Sequence, residues 1–178
     1  MLGKKVPSVV FKVRNKDEKF TGENPYKWTE IKTEDYFYNK KIILFSSPGA
    51  FGPICSNNQL SDFERLAPKF KELGIDSIYG ISVNDKFVVN AWAKLQNLKN
   101  IKLIPDGSAE FTKKMNMLVA KGNFGFGKRS WRYAAVVING WIKAWFEEPG
   151  FSNNCPVDPY GRTSPHFILD KANEWLNW

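Results

Sequence analysis

The chain has 178 residues, with 26 Lys and Arg against 18 Asp and Glu, a net charge of +8, and 43% hydrophobic residues. That is the size of a single domain, residues 1–178, with enough apolar content for a sizeable core. No apolar run approaches the length needed to cross a bilayer, which argues against a membrane protein, and no repeat or low-complexity tract appears.

Met1-Leu2-Gly3-Lys4-Lys5 is charged but has no apolar stretch behind it, so no signal peptide is read and the expected location is the cytoplasm. The basic residues are dispersed, with only short clusters at Lys40-Lys41, Lys113-Lys114 and Lys128-Arg129. This pattern reads as a solvated basic surface rather than a nucleic-acid footprint. Two cysteines, Cys55 and Cys155, form no C-x-x-C unit, and in a reducing compartment such a pair is more often catalytic than structural. With His166 as the single histidine, two thiols and one imidazole fall short of a closed zinc site, so neither metal nor cofactor is expected.

In chain order, the alternation Val9, Phe11, Val13 predicts a first strand, and residues 26–31 a second after the turn Gly22-Glu23-Asn24-Pro25. Together they make an N-terminal hairpin. Thr33 to Tyr38 reads as a short helical turn, and Lys41 to Phe45 as a buried strand. Leu60, Phe63, Leu66, Phe70 and Leu73 draw one face of a helix that ends near Gly74 and is kinked or divided at Pro68. Ser77 to Val83 is a strand, and Asn84 is expected to cap a helix with Phe87, Val88, Ala91, Trp92 and Leu95 inward.

Ile101 to Ile104 is a further strand, followed by a helix begun by Ser108, and Gly122 to Gly127 reads as a loop. Asn139-Gly140, between Tyr133–Ile138 and Trp141–Phe146, is a strong hairpin signal. A last helix starts with Ser164 as cap and Pro165 in first position, with Phe167, Ile168, Ala172, Trp175 and Leu176 inward. Alternating strands and helices, then a hairpin and a helix, is the order of an α/β, thioredoxin-like fold. Its central mixed β-sheet is flanked by helices, here with an N-terminal β-hairpin extension.

Pro48-Gly49-Ala50-Phe51-Gly52-Pro53-Ile54-Cys55 joins the buried strand to the long helix and sets Cys55 at the helix start. The first helical turn offers unpaired N–H groups and roughly half a positive charge, which favours a thiolate. Cysteines so placed can have their pKa lowered from about 8.5 to between roughly 3.5 and 7.5. The other reading is a buried cysteine acting as a small hydrophobe. Two prolines and two glycines in the preceding seven residues shape the turn more tightly than packing alone requires, which favours the reactive one.

The stretch Pro-Gly-Ala-Phe-x-Pro-x-Cys-Ser resembles the peroxidatic loop of the peroxiredoxins, in particular the Prx5, or type II, group. Val83-Asn84-Asp85, Asn90-Ala91-Trp92, Pro105-Asp106-Gly107, Phe111-Thr112, Gly125-Phe126-Gly127, Arg129-Ser130-Trp131-Arg132-Tyr133 and Glu148-Pro149-Gly150 also match that group in order. The resemblance implies a thiol peroxidase in which Cys55 is the nucleophile and becomes a sulfenic acid. It implies that Arg132 stabilises the thiolate and the peroxide, and that Pro48 shields the pocket. Phe51 either lines that pocket or makes a core contact, and Arg129 is close enough in sequence to assist substrate binding. Glutathione with glutaredoxin, or thioredoxin, is the implied reductant, and a homodimer the implied assembly; the basic surface suits an anionic reductant.

Gly52 departs from the family, which has threonine or serine there to align peroxide and sulfur. Glycine offers only its backbone N–H, and the loss is worth about 2.7 to 4 kcal/mol by comparison with other oxyanion donors. Ser46, Ser47 and Ser56 are candidates to compensate, while Gln59 and Ser61 stand where relatives commonly carry histidine and proline. Some members of the group have a resolving cysteine in the region of Cys155, so a disulfide with Cys55 and attack by an external thiol both stay open. Beside the peroxidase, two functions remain: a peroxide sensor or thiol-disulfide protein with little turnover, and a basic binding module without chemistry.

Overall fold

The computed structural model describes residues 1–16, 19, 22 and 25–176. Strands β1 (Val10–Lys16) and β2 (Tyr26–Lys32) pair antiparallel as the expected N-terminal hairpin. Glu23 and Asn24 of its turn lie outside the described residues. There follow α1 (Thr33–Phe37), β3 (Lys41–Ser47), a wide π-helical turn (Cys55–Leu60) running into α2 (Ser61–Glu72), β4 (Ser77–Ser82), α3 (Lys86–Leu95) and β5 (Ile101–Pro105). Next come α4 (Glu110–Lys114), β6 (Leu118–Ala120), β7 (Lys128–Ser130), β8 (Tyr133–Ile138), β9 (Trp141–Glu147), α5 (Pro165–Asp170) and α6 (Ala172–Trp175).

Five strands form the central sheet in the order β5-β4-β3-β8-β9. The pairs β3–β4 and β4–β5 are parallel, whereas β8 runs antiparallel to β3 and β9 antiparallel to β8. β3 is covered on both faces, which is why its sequence is a continuous apolar run rather than an alternation. Ile42 and Leu44 point to a core shared with Phe11, Phe37, Phe111 and Val137. Ile43 and Phe45 point to a second core with Phe63 and Phe70 of α2, Trp92 of α3, and Ile168 and Trp175 of α5 and α6. Asn139 and Gly140 both take positive φ, 48° and 78°, as the tight hairpin between β8 and β9 demands.

Several expectations need correction. α2 continues through Pro68 undivided. Proline has no N–H for the carbonyl of Glu64, and Asn100 Nδ2 donates to that carbonyl instead, at 3.4 Å. Asp85, not Asn84, caps α3: its carboxylate accepts from the N–H groups of Phe87 and Val88. The buried face of α3 is Val89 and Trp92, while Phe87, Ala91 and Leu95 are exposed and Val88 is half-buried. Phe87 turns toward Trp28 of the N-terminal hairpin, its ring edge-on at 5.8 Å.

The α4 start is likewise held from farther back than Ser108. Buried Asp106 accepts from the N–H groups of Phe111 and Thr112, and Ala109 adopts a left-handed φ of 57°. The last helix, though capped by Ser164 with Pro165 in first position, breaks at Lys171 into two short pieces. The 122–127 loop joins a small hairpin, β6–β7, whose three-residue strands are too short to leave a periodic signal.

Gly80 marks the tightest crossing in the second core. A Cβ there would lie 2.7 Å from both Leu103 Cδ2 and Phe45 Cζ, and Phe45 has no room to yield because it stacks on Phe63 at 4.1 Å. Gly80→Ala is expected to lower stability by about 1 to 3 kcal/mol. Urea unfolding checks this: the midpoint falls while the slope of stability against urea stays the same.

Candidate active site

The site begins where β3 ends. Ser46 Oγ donates to the Trp131 carbonyl at 2.7 Å and accepts from the Tyr133 N–H at 3.0 Å, which fixes the entry of β8 beside the exit of β3. Pro48 is buried at the start of the loop. Ala50 N–H donates to Asn84 Oδ1 at 3.0 Å, and Ser82 Oγ donates to the same oxygen at 2.6 Å, so the neighbouring strand end holds the loop in place. Phe51 takes a φ of 63°, a conformation unusual for an aromatic residue, and its ring lies 6.3 Å from that of Trp92. Gly52 then provides the first carbonyl of the helix, accepting from Ser56 N–H at 2.8 Å, with Pro53 next in line.

Cys55 opens the π-helical turn and is 2% exposed. Arg132 Nη1 lies 3.5 Å from its Sγ and donates to Gln59 Oε1 at 2.7 Å. Nη2 pairs with Asp158 Oδ2 at 2.6 Å, and Nε donates to the Pro159 carbonyl at 3.0 Å. The Tyr160 ring packs 5.4 Å from the guanidinium carbon. Burial works against the charge of Arg132, but the facing Cys55 and Asp158 outweigh it and raise its pKa from the ordinary value. Burial, and then the charge of Asp62, pushes the Tyr160 phenol upward, so it meets the arginine as a neutral ring.

The partners of Arg132 are themselves tied down. Gln59 donates from Nε2 to the Ser46 carbonyl at 3.0 Å and accepts from Ser47 Oγ at 2.9 Å. Buried Glu148, just past β9, accepts from Gly161 N–H, Thr163 N–H and Thr163 Oγ1, each at 2.8 Å. That anchors the loop bearing Asp158 and Pro159. Trp92 Nε1 donates to Ser56 Oγ at 2.9 Å, pinning the residue after the cysteine.

A cavity of about 480 Å³ opens onto Cys55, bounded by the Pro48–Ile54 loop, Asn84, Lys121, Phe124, Phe126, Arg129 and Asp158. The structure thus brings together Cys55, Arg132, Pro48, Phe51, Gly52 and Arg129. Cys155 stands apart: it is buried in the core on the Ile42 face of the sheet, while Cys55 belongs to the core on the Ile43 face, and both thiols are free. Ser46, Ser47 and Ser56 are engaged as described, and no hydrogen bond joins any of their hydroxyls to the sulfur. No sequence pattern marks Asp158 or Asn84 for these roles, and Gln59 stands out in the sequence only as a departure from the family.

The redoxin family model matches residues 1–154 of the chain. A peroxiredoxin of Rhizobium etli is 63% identical over 166 residues, covering 93% of this chain and 93% of that protein. Among solved structures, the Plasmodium falciparum antioxidant protein, a 1-Cys peroxiredoxin, is 35% identical with a TM-score of 0.88, covering 96% of this chain and 98% of that one. Reduced Prx3 of Vibrio vulnificus in complex with hydrogen peroxide is 31% identical with a TM-score of 0.81, covering 97% and 96%. With a thiol facing a buried arginine at the end of a thioredoxin-like sheet, and likeness over nearly its whole length, the chain belongs to the redoxin family as a peroxiredoxin of the Prx5, or type II, kind.

Proposed function

We propose that the protein reduces hydrogen peroxide and organic hydroperoxides through a sulfenic acid on Cys55, and that an external thiol recycles it, either glutathione with glutaredoxin or thioredoxin. The observation that carries this reading is the 3.5 Å approach of Arg132 Nη1 to Cys55 Sγ beneath an open cavity. The sulfur attacks the outer peroxide oxygen, the O–O bond breaks, and the departing hydroxide or alkoxide takes up a proton. Negative charge moves from sulfur to oxygen during that displacement. A cation that cannot deprotonate and cannot swing away stabilises it throughout. The relative from Vibrio vulnificus, solved with hydrogen peroxide, supports this choice of substrate.

The separation of the two cysteines favours an external reductant over Cys155, because a disulfide needs Cα atoms within about 4.4 to 6.8 Å. A cytoplasmic homodimer completes the reading. The absence of a hydroxyl at Gly52 supports a second one, in which Cys55 is oxidised as a peroxide sensor or thiol-disulfide protein with little sustained turnover.

Stopped-flow measurement with hydrogen peroxide separates these. Wild type is expected to turn over repeatedly with a thiol reductant and Cys55→Ser not at all; one equivalent consumed and no more would favour the sensor. After a single equivalent of peroxide without reductant, mass spectrometry is expected to find the oxidised sulfur on Cys55 alone, and a linked Cys55–Cys155 peptide would assign recycling to Cys155.

A Cβ on Gly52 would meet Cys55 Sγ at 3.7 Å and the Gly49 carbonyl at 3.5 Å, both ordinary contacts, so a side chain fits. Gly52→Thr is expected to raise the rate constant with hydrogen peroxide by about a hundred-fold or more. An unchanged rate would show that the hydroxyl is not what limits this enzyme. Gln59→Leu leaves a buried guanidinium donor without its acceptor, and is expected to cost about 1 to 3 kcal/mol of stability. It should also slow Cys55 oxidation about ten-fold, read by thermal unfolding and by stopped-flow on the same sample.

A further inference from the structure

Lys121 borders the Cys55 cavity although only 3% of its surface is exposed. Its ammonium faces the rings of Phe124 at 5.9 Å and Trp131 at 5.8 Å. Such contacts offset part of the cost of withdrawing a cation from water, not all of it. Among the described residues, no carboxylate pairs with it and no side-chain hydrogen bond reaches its nitrogen. Its backbone holds the rim: Lys121 N–H donates to the Gly127 carbonyl, and its own carbonyl accepts from Phe124 and Phe126.

The remaining charges of the cavity wall do not neutralise it. Asp158 is committed to Arg132 at 2.6 Å, and Arg129 Nη1 donates only to the Lys128 carbonyl. Two cations therefore line the cavity beyond the one that serves the sulfur. Phe51, Phe124 and Phe126 stand about half exposed around it. Hydrogen peroxide is small and neutral and has no use for either feature. A ligand that does is an anion with a hydrocarbon body.

We propose that this cavity selects organic hydroperoxides that carry a carboxylate. The carboxylate meets Lys121, with Arg129 as the second cation of the wall, while the hydrocarbon lies along Phe51, Phe124 and Phe126 and the peroxide group reaches Cys55. The bond formed is sulfur to the outer peroxide oxygen, and the bond broken is O–O. The alkoxide leaves, takes a proton and departs as the alcohol, so the sulfur is oxidised and the hydroperoxide reduced. This selectivity rests on the peroxidase reading above.

The test is the single-turnover oxidation of Cys55, with no thiol present, by 13-hydroperoxyoctadecadienoate and by its methyl ester below the concentration at which either forms micelles. The acid is expected to react about ten-fold faster than the ester. The acid-to-ester ratio should fall toward one in Lys121→Met and be retained in Lys121→Arg. Taking the ratio within each protein divides out any change in the sulfur itself. Should Lys121→Met fail to fold, Lys121→Gln, which keeps a polar end in the same place, takes over and is expected to bring the ratio toward one.

A wild-type ratio near one, or a ratio kept in Lys121→Met or Lys121→Gln, would overturn the proposal. If Lys121 instead affects only the later reaction of oxidised Cys55 with glutathione, the site serves an anionic reductant and the proposal fails. Reaction with hydrogen peroxide tells the two readings apart. Oxidation by hydrogen peroxide without discrimination between acid and ester defeats this inference alone, and no reaction with any hydroperoxide defeats the peroxidase as well.

Discussion

The immobilisation of Arg132 is the constraint on which the site depends. A buried guanidinium is costly to keep charged, and it is tolerated because Gln59, Asp158, the Pro159 carbonyl and the Tyr160 ring surround it. Those groups fix its orientation and leave Nη1 against the sulfur of Cys55. The guanidinium therefore faces the thiol already oriented, and the charge stabilisation proposed for it needs no reorientation.

Three sets of contacts hold that arginine and the loop of the thiol it faces. Gln59 is held by Ser46 and Ser47 at the end of β3, so the arginine is registered to the strand that delivers the cysteine loop. Glu148 gathers the backbone of residues 161 and 163, which keeps Asp158 and Pro159 in range. Asn84, just past β4 on the other side of β3, fixes Ala50 in the loop itself. Strands β3, β4 and β8 each contribute at the same end of the sheet, and the apolar packing on both faces makes that end rigid.

Much of this architecture was legible in the sequence, and what was missed has a common cause. The buried strand at residues 41–45, the Asn139-Gly140 hairpin, the Ser164-Pro165 helix start and the strand-to-helix position of Cys55 all depend on neighbours within a few residues. Local patterns report such features. The role of Gln59 and that of Asp158 depend on hydrogen bonds to a residue 73 and 26 positions away, which leave no periodic trace. The same holds for Pro68, whose cost is met by Asn100 from another segment, and for α3, whose outward Phe87 is explained by Trp28 in the hairpin. The family resemblance points to Arg132, whereas Lys121 has no local signature, since a lysine beside a glycine-rich loop looks like ordinary surface until its burial is known.

The π-helical turn at Cys55–Leu60 carries a consequence for chain length. Cys55 and Gln59 reach the same guanidinium nitrogen from opposite ends of this wide turn, while Phe63 and Phe70 further along are locked into the core. A turn closed by i→i+5 bonds takes in about one residue more than the 3.6 of an α-helix, so deleting one residue here lets the segment tighten to an ordinary α-turn with the core side chains kept in phase. What such a deletion would change is the spacing between Cys55 and Gln59 at the shared guanidinium nitrogen, not the phase of the helix that carries them.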